Sequence, residues 1–114
     1  MFHYYESEDK AMTLDEMIKE LMDVHEMSIP QFAEKTGLSA KTVRALLTPN
    51  RNPKLKTIFA VTKAFGIPPH YFFDDDMTPD LFSVIAIFCS STPEKQKIIM
   101  DLIKSFADKK DKNT

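Results

Sequence analysis

Between Lys35 and Phe73 the chain carries seven basic residues (Lys35, Lys41, Arg44, Arg51, Lys54, Lys56 and Lys63) and no Asp or Glu. Three of them fall in TGLSAKTVRALLTPNRNP, residues 36–53, where Thr42, Asn50 and Asn52 add neutral hydrogen-bond donors. Cationic and amide donors without a carboxylate among them suit one kind of chemistry: neutralising phosphates and donating hydrogen bonds to a polyanion. Elsewhere the balance reverses. Residues 1–34 hold nine acids and two bases, and residues 74–114 hold eight acids and six bases, so the basic block sits inside a chain of net charge −2.

Other chemistries find little support. Cys89 is the one cysteine, so no internal disulfide forms, and a lone cysteine of this kind reads as a small buried hydrophobe in a reducing compartment. His3, His25 and His70 have no second His or Cys three or four residues away, so no metal site is expected. Neither a Gly-rich phosphate loop nor a GxSxG elbow occurs, and no nucleophile–base pair stands out. The chain is read as a non-enzyme without a cofactor. No apolar run nears the ~20 residues that cross a bilayer, and MFHYYESEDK lacks the features of a signal peptide, so a cytoplasmic protein with no membrane partner is expected.

The basic block needs elements to present it. Two glycines in 114 residues and regular helix signals point to an all-α chain. Thr13-Leu-Asp-Glu16 and Ser28-Ile-Pro-Gln31 are capping boxes. They predict a first helix over about 13–26, with Leu14, Met17, Ile18, Leu21 and His25 on one face, and a second over about 29–36 burying Phe32 and Ala33. Gly37 stands where a helix ends with positive φ, and Ser39 caps a third helix over about 40–48 with Val43, Leu46 and Leu47 inward. Pro49 stops it, and PNRNP forms a loop. A fourth helix follows over about 54–65, with Leu55, Ile58, Phe59, Thr62 and Phe65 on one face. A short fifth runs over about 68–73 and buries Tyr71 with Phe72 or Phe73.

Two short helices joined at Gly37 satisfy the demands of a helix-turn-helix: small Ala33 at the crossing, apolar anchors Val43 and Leu46, and donors facing outward from the second helix. FAEKTGLSAKTVRALL, NRNPKLKTIFAVTKAFGI and PHYFF resemble the Xre, or Cro/CI-type, helix-turn-helix family over residues 13–73. The resemblance implies a five-helix domain that binds double-stranded DNA. It also implies that Ala40, Lys41, Thr42, Arg44 and Ala45 lie at base-reading positions, while Ser28, Gln31, Asn50, Arg51, Asn52 and Lys54 hold the DNA backbone. The chain departs from the family in two places: Ile29 stands where Gln often opens the second helix, and Pro49 stands where a Gly-containing turn usually follows the third.

The charged stretch 74–79 reads as a linker. Beyond it, helices over about 80–90 and 93–108 read as a two-helix hairpin that is too apolar to stand alone. Residues 80–108 are therefore expected to form a homodimer interface through Leu81, Phe82, Val84, Ile85, Phe88, Ile99, Leu102, Ile103 and Phe106. Folding of this segment back onto the first domain is the competing expectation. Residues 1–12 are read as a flexible leader and 109–114 as a disordered tail. The expected function is a dimeric, sequence-specific repressor on a palindromic operator. An antitoxin that binds a partner protein through residues 80–108 is one alternative. A protein-interaction module that has lost DNA is another, although acids on the third helix would be its mark and none is present.

Overall fold

In a computed structural model the described residues are 11–107. Most of the expected leader and the 109–114 tail lie outside them. The described chain is helical throughout: α1 Leu14–Val24, α2 Ile29–Thr36, α3 Ala40–Leu46, α4 Leu55–Phe65, a 3-10 turn Pro69–Phe73, α5 Pro79–Ser90 and α6 Pro93–Ser105. The caps act as their sequences require. The Glu16 carboxylate accepts from the Thr13 N–H at 2.8 Å, and Gln31 Oε1 accepts from the Ser28 N–H at 2.8 Å. Gly37 and Gly66 close α2 and α4 at φ 77° and 69°. In both, the missing Cβ relieves the left-handed conformation.

One core joins α1 to α5. Met17, Ile18, Leu21, Phe32, Val43, Leu46, Ile58, Val61, Phe65, Ile67, Phe72, Met77, Phe82 and Ala86 are buried in it. Phe65, the last residue of α4, is its hinge point. The ring stacks on His25 at 5.2 Å and on Phe32 at 5.4 Å, and Lys35 Nζ lies 5.7 Å from its centre. These contacts tie α4 to the end of α1 and to α2, the helix that leads into the basic block.

The inner face of α4 is rotated from expectation. Ile58, Val61, Thr62 and Phe65 are buried, whereas Leu55 and Phe59 are exposed. The buried arc is centred on Ile58 and Phe65, with Val61 at the edge opposite to Leu55 and Phe59. In the 3-10 turn the buried ring is Phe72, and Phe73 faces outward.

The C-terminal expectation needs a larger correction. Residues 74–79 hold fully buried Met77, whose carbonyl accepts from the Met12 N–H at 2.9 Å. Helix α5 then lies along α1: Phe82 and Ala86 enter the core, Phe82 meets Phe72 edge-on at 5.6 Å, and the Ser83 hydroxyl donates to Glu20. Phe82 was expected to face a dimer partner. It is fully buried within its own chain and offers a partner nothing. Ile85 and Cys89 are half-buried against the same core. The reason is angular. At about 100° per residue, Phe82, Ile85, Ala86 and Cys89 occupy one side of α5, while Leu81, Val84, Ile87 and Phe88 occupy the other. The apolar arc is wide enough for two surfaces, and α1 covers one.

Helix α6 leaves this body. It buries no residue, and α5 is the element it chiefly meets, with Gln96 Nε2–H donating to the Phe88 carbonyl at 2.8 Å. The molecule measures 55 × 36 × 22 Å along its principal axes.

Candidate nucleic-acid interface

The site is built on α3 and the two turns that bracket it. Gly37 bends the chain with its N–H on the Ala33 carbonyl at 2.9 Å, and Leu38 N–H shares that carbonyl at 3.1 Å. Ser39 then starts α3. Its hydroxyl accepts from the Thr42 N–H at 3.1 Å and donates to Thr42 Oγ1 at 2.9 Å. Val43 and Leu46 anchor the inner face, and Leu47 is half-buried. With those three residues pinned inward, helix geometry turns Lys41, Arg44 and Ala45 to the opposite side. Lys41 and Arg44 are exposed there, and Ala45 is half-buried.

The expected reading residues separate into two groups. Lys41 and Arg44 stand clear of the protein with long donor-bearing side chains. Thr42 and Ala40 are half-buried at the flanks of α3, and the Thr42 hydroxyl oxygen accepts from Ser39 within the cap while its own proton stays free to donate. Thr48 had not been assigned to the site. It lies one turn beyond Arg44 on the same side, is exposed, and donates its hydroxyl proton to the Arg44 carbonyl at 2.9 Å. Its spacing of four from Arg44 and seven from Lys41 was the available signal.

The expected backbone-contacting residues fall at both ends of the α2–α3 unit. Ser28 and Gln31 are exposed at the start of α2 and cap each other: Ser28 Oγ accepts from the Gln31 N–H at 3.3 Å in return for the bond already described. The Ser28 and Gln31 side-chain oxygens thus both accept within the cap, while the Ser28 hydroxyl proton and the Gln31 amide nitrogen stay free to donate. Ile29, where the family often has Gln, is half-buried against the core and braces α2 by packing. After α3, Asn50 takes φ 63°. Asn tolerates this left-handed conformation better than other residues with a Cβ. Asn50 therefore supplies the positive φ of this turn, and Pro49 precedes it without needing one. Asn50, Arg51, Asn52 and Lys54 are all exposed. Lys54 is the N-cap of α4 and makes no side-chain cap bond, and the first turn of α4 holds no acid.

A family model for the Cro/C1-type HTH DNA-binding domain matches residues 17–74. The chain belongs to that family. Searches of curated proteins and of solved structures returned no match. The match runs from α1 through the 3-10 turn and stops before Met77, so α5 and α6 lie outside it. For a Cro/C1-type domain the arrangement here is coherent: α2 and α3 form the helix-turn-helix, α3 presents its outer face, and the loop to α4 presents basic and amide side chains beside it. Among the described residues no group of three or more His, Cys, Asp or Glu could hold a metal ion, and no helix is long and apolar enough to cross a membrane.

Proposed function

We propose that the protein is a transcriptional repressor that binds a palindromic operator as a homodimer and blocks access of polymerase to the promoter. The observation that carries this reading is the outer face of α3, where Lys41 and Arg44 are exposed on a helix that holds no carboxylate. Lysine and arginine donate to guanine O6 and N7 in the major groove, and Ala45 beside them suits a thymine methyl. Arg51, Asn52 and Lys54 on one side and Gln31 on the other would hold phosphates and fix the register of α3 in the groove. One such domain makes few base contacts, and pairing two of them on half-sites about one DNA turn apart supplies the rest. Repression by occupancy needs no catalytic step.

The test is selection of bound fragments from random duplex DNA, followed by titration of the recovered site with variants. A two-fold symmetric consensus is expected. Lys41→Ala and Arg44→Ala should each weaken the specific site by about 1–3 kcal/mol and relax preference at one position. Arg51→Ala should weaken all sequences alike and reduce the salt slope by about one. Unchanged binding by both α3 variants would remove α3 as the reading helix.

A further inference from the structure

Helix α6 raises a physical problem. An isolated helix of fewer than about 12–15 residues is marginal in water, and most helices are held by burying an apolar face. α6 is 13 residues long and buries nothing. Yet it has such a face: Ile98, Ile99, Leu102, Ile103 and Phe106 share one side, with Lys95 at its start, while Glu94, Lys97, Asp101 and Lys104 share the other. Lys97 and Asp101 pair on that polar side at 3.2 Å. Ile98 is 66% exposed, Leu102 58% and Phe106 79%. The side of α5 turned away from α1 is bare as well, with Val84 51% exposed and Leu81 and Ile87 nearly as much.

We infer that the bare sides of α5 and α6 form one surface that a second copy of this chain covers. Three observations select that occupant. From Ile98 onward the α6 side contains no charge, and the two charges at the N-terminal ends of the surface, Asp80 on α5 and Lys95 on α6, are opposite in sign, so it carries no net charge. An interface around a two-fold axis sets a surface against itself, so a neutral apolar surface is self-complementary where a charged one repels itself. The area is sufficient. Weighted by exposure, these residues present on the order of 700 Å² per protomer, close to the roughly 800 Å² that each partner of a stable complex contributes. Finally, α6 needs cover to remain a helix, and another copy of the same chain is present whenever the protein is. The surface differs from the one expected at first. Phe82 drops out and Ile85 turns inward, while Ile87 and Ile98 enter.

The inference gives the proposed homodimer its surface, and its purpose rests on the reading of the chain as a repressor. The association itself is testable without DNA. Sedimentation velocity of the full chain at 13.1 kDa per protomer should show twice that mass at tens of micromolar. The variant Ile98→Glu with Leu102→Glu alters positions that are open in the protomer. It should keep its α1–α5 core by near-ultraviolet circular dichroism, sediment as a monomer and lose helical signal equivalent to α6. A wild-type monomer at that concentration overturns the inference, whether α6 is then covered from within the chain or by a different protein. A double variant that remains dimeric overturns it too, by placing the interface elsewhere. DNA separates this from failure of the repressor reading. The monomeric variant should still shift a single half-site duplex through Lys41 and Arg44, though its affinity for the full palindrome should fall at least tenfold.

Discussion

Leu81 and Phe82 are neighbours on α5 with opposite surroundings, and truncating each to Ala tests how that helix sits. Phe82 is fully buried among α1, the 3-10 turn and Met77, and its ring meets Phe72 edge-on. Removing a buried Phe costs about 3–5 kcal/mol through lost transfer energy and the cavity left behind. The edge-to-face pair is a further ~0.5–1.5 kcal/mol of what is lost. A chain of this size holds only about 5–15 kcal/mol in total, so Phe82→Ala should remove a large part of it. Leu81 is 48% exposed and leaves no enclosed cavity, so its truncation should cost the protomer under about 1 kcal/mol. The assay is urea unfolding followed by circular dichroism at submicromolar protein, where association contributes least. A gap of at least 2 kcal/mol between the two variants is expected. Equal losses would mean that α5 is not turned toward α1 as described, and the two surfaces assigned to it would have to be exchanged or abandoned.

The two glycines should respond differently to alanine. A Cβ at Gly37 meets nothing within 4 Å, so Gly37→Ala costs only the left-handed backbone, about 1–2 kcal/mol by unfolding. At Gly66 the new Cβ also comes within 3.2 Å of the Cys89 carbonyl, so Gly66→Ala should cost more, and parity between them would deny the close approach of the α4 and α5 ends. Glu26 holds φ 53° just beyond α1, a conformation that glycine adopts freely, and Glu26→Gly should raise the urea midpoint by about 0.5–1 kcal/mol of stability; a drop would show that its side chain matters more than its backbone. Burial, reinforced by the Lys35 charge, holds the His25 imidazole below its ordinary value of 6.5, and its Nε2 is buried without a partner. The unfolded chain therefore takes up this proton first as pH falls, so stability contributed by neutral His25 is complete above pH 6.5 and declines below it. Unfolding at pH 7.5 and pH 5 should show His25→Phe losing less than wild type, and identical losses would assign the acid sensitivity to other groups.

Much of the fold was legible because local signals agreed with one another. Capping boxes at Thr13 and Ser28, the glycine at 37 and the Ser39 cap each set a helix end through backbone chemistry that depends on a few adjacent residues. The face of α3 was legible for a similar reason: Val43 and Leu46 must point inward, so Lys41 and Arg44 must point out. What escaped depended on distant partners. Nothing local distinguishes Phe82 from Val84 on a helix that is apolar nearly all round, and α1, some sixty residues earlier, decides between them. The cap bonds of Ser28 and Thr42 were hidden because residue type reveals a hydroxyl but not which neighbour its oxygen already accepts from. Pro49 looked like a departure from the family's turn, and the compensating residue, Asn50, stood beside it.

The bond between Ser83 and Glu20 joins residues 63 apart in sequence, and the Met12–Met77 bond closes a similar span. Helices α1 to α4 can assemble through nearer contacts, but α5 must wait until a loop of that length has closed, which costs entropy before any contact repays it. Docking of α5 should therefore come late in folding, and until then the side of α1 that Phe82 and Ala86 will cover is bare. A nascent chain released before residue 90 would carry an intact reading helix on an unfinished core. Completion of α5 is thus the step that closes the core over α1.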